Sequence, residues 1–169
     1  MNYSKHCLCC VLICASFGAS AQTKSAGDLV LSMRALGPIR LGMTVKEASA
    51  ANGKPLKIVD SSVMPGCKFS SFTSEDAGFW VGNNDGRIHT ICVMDGVSTV
   101  QGIRTGDSAK KLNLFPAASL KSIGEWKELQ PTDPQDRGYS MLFKVMNGKI
   151  FEICIGKSAD HAYERTGGC

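Results

Sequence analysis

The nine residues DGRIHTICV, from Asp85 to Val93, are written again as NGKIFEICI, from Asn147 to Ile155. Position for position both read turn residue, Gly, base, Ile, two variable residues, Ile, Cys, β-branched residue. Asp-Gly and Asn-Gly are the dipeptides that two-residue hairpin turns favour, because both central positions need positive φ. FWVGNN precedes the first turn and MLFKVM the second, so each copy reads as a hairpin turn with its outgoing strand.

The duplication reaches upstream. IRLGMTVKEA (39–48) lies 64 residues before IRTGDSAKKL (103–112). Gly42 matches Gly106 and Thr44 matches Ser108. The two hydroxyls are good helix N-caps, since each can accept from a free amide of the first turn. Thr44 and Glu47 have the spacing of a capping box. The first helix is expected from Val45 to about Asn52, ending at Gly53. The second is expected from Ala109 to about Leu114, ending before Pro116. The predicted fold is α+β: two tandem repeats, each a helix followed by an antiparallel meander, sharing one sheet with the helices on one face.

The predicted divisions are a signal peptide at 1–21, a flexible leader at 22–35, a first repeat at 36–99, a second at 100–157 and a C-terminal tail at 158–169. The N-terminus has one base, Lys5, then an apolar run from Cys7 to Phe17, then Ala19-Ser20-Ala21. That is the layout of a secretory signal cleaved after Ala21. The apolar run is too short to span a bilayer, so no stable membrane insertion is expected. Ile13 before Cys14 is too large for a lipidation signal. The chain is therefore placed in the periplasm or secreted. PTDPQDRG (131–138) reads as an exposed loop.

Past the signal, Cys67, Cys92, Cys154 and Cys169 remain. An even count in an exported chain reads as two disulfides. The preferred pairing is Cys67–Cys169 with Cys92–Cys154, because Cys92 and Cys154 hold the same place in twin strands. Pairing within each half, Cys67–Cys92 and Cys154–Cys169, remains the alternative. No C-x-x-C survives, and His89 and His161 have no ligand spacing, so no metal and no cofactor are expected.

The formal charge of +4 over 169 residues comes with no basic run, which argues against nucleic acid as a partner. Ser108-Ala109-Lys110-Lys111 spells S-x-x-K, but Ser108 is the twin of a helix cap. No G-x-S-x-G nucleophile turn is present. The even cysteine count argues against a free Cys92 working with His89. The duplicated positions carry caps, turns and apolar residues, so the chain reads as a binding protein with no catalytic residues.

With two-residue turns, Trp80 falls opposite Ile91, Gly82 opposite His89, Leu142 opposite Ile153 and Lys144 opposite Phe151. One sheet face then carries Trp80, His89, Ile91, Lys144, Phe151 and Ile153. The other carries Phe79, Val81, Ile88, Cys92, Met141, Phe143, Val145, Ile150 and Cys154, and is expected to pack on the helices. The first mixes aromatics with bases, as binding faces do, so Trp80, His89, Lys144 and Phe151 are the expected partner-binding residues; the alternative is that Trp80 and Phe151 fill a second small core.

The spacing L-x-x-I-x-x-G-M-T, Leu36 to Thr44, resembles the repeat start of the secreted β-lactamase inhibitory proteins. It is also similar to that of the small outer-membrane assembly lipoproteins of Gram-negative bacteria. The second copy, V-x-x-I-x-x-G-D-S from Val100 to Ser108, keeps the frame with Asp in place of Met. Most of residues 36–169 also resembles a broad group of uncharacterised exported bacterial proteins with G-M-T and G-D-S helix starts and a terminal Gly-Cys. The resemblance implies a helix pair on an antiparallel sheet whose open face grips another protein. The expected function is steric inhibition of an envelope enzyme or toxin, such as a cell-wall hydrolase, a β-lactamase-like enzyme or the target of an immunity protein. The alternative is a structural component of envelope or outer-membrane assembly.

Overall fold

A computed structural model describes residues 29–60, 68–71, 79–82, 86–94 and 97–157. The fold is mixed α+β with two sheets. Cys67, Cys169, the signal peptide, the tail and Asp85 lie outside the described residues.

The smaller sheet holds β1 (Val30–Leu31), β2 (Ala35–Leu36), β3 (Ile39–Arg40) and β8 (Ser98–Thr99), in the order β3-β2-β1-β8. This corrects the flexible leader: its last residues, from Leu29 on, are part of the fold. Leu31 is fully buried, and Val30 and Leu31 run parallel to Ser98 and Thr99. A two-residue strand is too short to show an alternating pattern, so the sequence gives it no signal.

The larger sheet holds β4 (Lys57–Asp60), β5 (Lys68–Ser71), β6 (Phe79–Gly82), β7 (Thr90–Val93), β9 (Leu120–Ile123), β10 (Trp126–Leu129), β11 (Tyr139–Met146) and β12 (Lys149–Lys157). Its order is β4-β5-β6-β7-β12-β11-β10-β9, and every pairing is antiparallel. Each four-strand group is a meander. The two groups meet at β7 and β12, where Cys92 lies directly opposite Cys154.

The single α-helix of the described residues, α1 (Val45–Asn52), begins at Thr44 with both halves of the capping box made. The Thr44 hydroxyl accepts from the Glu47 amide at 3.2 Å, and the Glu47 carboxylate accepts from the Thr44 amide at 2.8 Å. It ends at Gly53, whose φ of 70° is left-handed and favours glycine. The second predicted helix, Ala109–Leu114, forms as a 3₁₀ helix. Phe115 and Pro116 follow it at once, and six residues leave little length for α-helical bonding.

Both segments hold their hairpins in the same way. The Gly42 amide donates to Ile88 O and the Gly106 amide to Ile150 O, each at 2.7 Å. In return Ile88 donates to Met43 O at 2.8 Å, and Ile150 to Asp107 O at 2.9 Å. Ile39, Ile88, Ile103 and Ile150 are buried at these joints. Ala48 and Leu112 join them in one core with Ile91, Val93, Met141, Phe143, Ile153 and Ile155.

The predicted register is wrong by one residue in both hairpins. Next to the second turn the pairs are Met146–Lys149 and Val145–Ile150, as a two-residue turn requires. A β-bulge follows, and beyond it Lys144 faces Glu152, Phe143 faces Ile153 and Leu142 faces Cys154. Phe151 is the extra residue. In the first hairpin Trp80 faces Cys92 and Gly82 faces Thr90, the same one-residue offset from the expected pairs. Because side chains alternate, a one-residue slip moves the β7 residues, and the β12 residues beyond the bulge, to the opposite face, while Met141 and Phe143 stay in the core as expected. Ile91 and Ile153 therefore lie in the main core. Cys92 and Cys154 lie on the opposite face, with Leu142 and the partly buried Trp126.

Candidate functional site

The disulfide face is the place to look for recognition, because its buried centre gives way at one end to exposed Phe151 near the partly buried Trp126. Cys92 and Cys154 are bonded, with sulfurs 2.02 Å apart and Cα atoms 4.1 Å apart. This excludes the pairing within each half. Leu142 and the disulfide are fully buried. The Glu152 carboxylate lies within 4.8 Å of both sulfurs. A thiolate is the metal-binding form of cysteine, so sulfurs bonded to each other do not offer a metal site.

Toward the Asn147-Gly148 turn the face changes character. Lys144 sits between two rings: its Nζ is 5.5 Å from the centre of Trp126 and 5.9 Å from that of Phe151. Trp126 is its cross-strand neighbour on β10, and Glu152 its neighbour on β12. The bulge turns Phe151 outward, leaving it 49% exposed, beside a turn whose Met146 is 42% exposed. The Lys144 ammonium is within cation–π reach of both rings, with each contact worth about 0.5–1 kcal/mol at an exposed site. The result is a pair of aromatic rings with a positive charge between them.

Of the four predicted binding residues, the structure brings Lys144 and Phe151 together. His89 does not join them. Thr90 pairs with Gly156 and Val93 with Ile153, so His89 and Phe151 lie past opposite ends of the central strand pair. His89 is half-buried there. Strand position 80 faces Cys92 instead of Ile91, so it sits toward the disulfide. Trp126 belongs to the site and was missed. Its signal was Ile123-Gly124-Glu125-Trp126, a hairpin turn with Gly at the first central position, where φ is 57°.

Ser108 serves as a cap. Its Oγ accepts from the Lys110 amide at 3.3 Å. Lys111, the lysine of S-x-x-K, is bound to Asp107 at 2.9 Å. That contact, together with the Arg104 amide, holds the Asp107 carboxyl below its ordinary range.

No protein-family model matches the chain, and no curated protein is significantly similar to it. Solved structures do share its fold. The uncharacterized protein YfeY from Escherichia coli is 13% identical, with a TM-score of 0.51, over 76% of this chain and 99% of that one. An extracellular protein containing a SCP domain from Bacillus anthracis is 11% identical, also with a TM-score of 0.51, over 74% of this chain. The match spans 46% of the latter's own length, about half. At such identities the likeness is one of fold.

Proposed function

We propose that this chain is an exported binding protein that blocks an envelope enzyme or toxin with the surface formed by Trp126, Lys144 and Phe151. The observation that carries the reading is Phe151: a bulge turns a large aromatic into solvent, where it is held by a cation next to exposed Met146. Exposed aromatics on a rigid sheet lose little entropy on binding and bury much area. The signal-peptide layout and the buried disulfide support an oxidising compartment. The matching bonds at Gly42 and Gly106, and a disulfide joining positions 62 apart, support a tandem duplication whose halves share the larger sheet.

The test is photo-crosslinking from position 146 in living cells, with Lys46 on α1 as the control position. A partner captured at 146 alone is then purified and assayed for activity with and without the protein. Inhibition that weakens by about 2 kcal/mol or more in Phe151→Ala or Trp126→Ala supports the proposal. Equal capture from both positions, or a partner whose activity is unchanged, overturns it. Capture of outer-membrane assembly components would instead favour a structural role.

A further inference from the structure

A second concave site lies on the other side of the larger sheet. Between the β1–β2 turn, the segment after the 3₁₀ helix and the loop after β10 is a cavity of about 360 Å³. That is within the range of small-molecule pockets, about 300–1,000 Å³. Leu129 and Met141, cross-strand partners on the core face, form part of its lining and are almost fully buried. Met33 and Val100 also line it, and Val100 is 60% exposed. The apolar half of the lining includes two methionines, whose flexible side chains adapt their shape to an occupant.

The rim is acidic. Asp133 and Asp136 line it, and the described lining residues include no lysine or arginine. Arg34 is nearby but committed. Its Nη1 donates to Gln135 O at 2.9 Å, its Nε is 3.8 Å from Asp136 Oδ1, and its guanidinium stacks 5.2 Å from the Tyr139 ring centre. This contact ties the 133–136 turn to the smaller sheet at one edge of the cavity. Asp133 accepts from the Gln135 amide at 2.8 Å and makes no ion pair among the described residues. Among the described residues, one carboxylate charge at the rim therefore lacks a cation.

We propose that this cleft binds a small apolar molecule bearing a cationic amine, its body against Met33, Leu129 and Met141 and its ammonium at Asp133. The site is independent of the Trp126–Lys144–Phe151 surface, because Met141 and Lys144 project from opposite faces of β11.

Benzylamine, benzyl alcohol and benzoate share one ring and differ in charge, so they probe both parts of the proposal. Protein labelled with ¹³C at methionine methyls reports on the cleft through Met33 and Met141. Exposed Met94 and Met146 serve as surface controls, and Met43 reports on the fold. Benzylamine is expected to shift Met33 and Met141 saturably, and to bind about fivefold more tightly than benzyl alcohol, the scale of one exposed ion pair. Benzoate is expected to bind more weakly than either. Asp133→Asn should bring the amine to the level of the alcohol, and Val100→Trp, which fills the mouth, should abolish binding. No saturable shift at Met33 and Met141, equal shifts at Met94 and Met146, or equal affinity for benzoate overturns the proposal. If Val100→Trp disturbs Met43, the Asp133→Asn comparison decides alone.

Discussion

Met43 and Asp107 hold the same place in the two copies and solve the same problem with different chemistry. In the first copy the Arg40 amide donates to the Met43 sulfur at 3.4 Å. In the second the Arg104 amide donates to the Asp107 carboxylate at 2.8 Å. The carboxylate is the stronger acceptor, and it also binds Lys111. Its pKa is lowered from an ordinary 3.8, by Lys111 first and the Arg104 amide second. A lowered carboxylate pKa contributes stability above the unfolded value, and the contribution is lost as pH falls through the folded value. Acid should therefore destabilise the wild type below about pH 4 more than Asp107→Asn. Urea midpoints at pH 7 and pH 3 test this, and equal acid losses in both proteins would refute it. Glu47 is lowered in the same direction, by the Thr44 amide first and the Thr44 hydroxyl second. Caps follow the same logic. Ser108→Ala and Thr44→Ala should each cost about 1 kcal/mol in thermal or urea unfolding. Partner affinity should be unchanged once the Ser108→Ala protein is folded. A loss of hydrolytic activity from Ser108→Ala with no change in melting would refute the cap assignment.

The hairpins show where sequence reading stops. The cap at Thr44, the stop at Gly53 and the turn at Asn147-Gly148 were legible because each depends on one residue's conformational preference. The positive φ of Asn147, 51°, and of Gly148, 75°, are such requirements. The bulge was not legible. Ile150, Phe151, Glu152, Ile153 and Cys154 alternate plausibly in either register. Tertiary burial decides that Ile153 faces the core and Cys154 faces Cys92. Ile91 and Ile153 therefore changed places with Cys92 and Cys154, while Ile88, Met141, Phe143 and Ile150 kept the expected core face; Lys144 and Phe151 still met, because the slip falls between them. This placement separates two kinds of apolar residue on one face. Leu142 is fully buried beside the disulfide, so Leu142→Ala should cost about 2–5 kcal/mol. Phe151→Ala should change stability by no more than about 1 kcal/mol, since half of its surface is already in water. If Phe151→Ala is as costly as Leu142→Ala, the ring is core and the proposed surface is lost.

At the scale of the molecule, everything converges on the β7–β12 seam. Four strands from residues 57–93 and four from 120–157 meet there, and only this pairing makes them one sheet. The Cys92–Cys154 bond crosses the seam at its middle and closes a loop with a sequence separation of 62. In the chain-entropy account, closing a loop of that length restricts the unfolded chain by about 4 kcal/mol. Replacing both cysteines with alanine should lower the urea midpoint accordingly. It should also raise the m-value, because an unfolded chain without the link exposes more surface. Cys67 and Cys169 are changed to serine in both proteins, so that the comparison reports this bond alone. Binding through Trp126, Lys144 and Phe151 should survive in the double alanine variant wherever it is folded, since the bulge that presents Phe151 is made between β11 and β12. A partner affinity lost together with the disulfide, at a temperature where the sheet is intact, would mean that the seam itself shapes the recognition surface. An unchanged urea midpoint would mean that the apolar core alone holds the two groups of strands together.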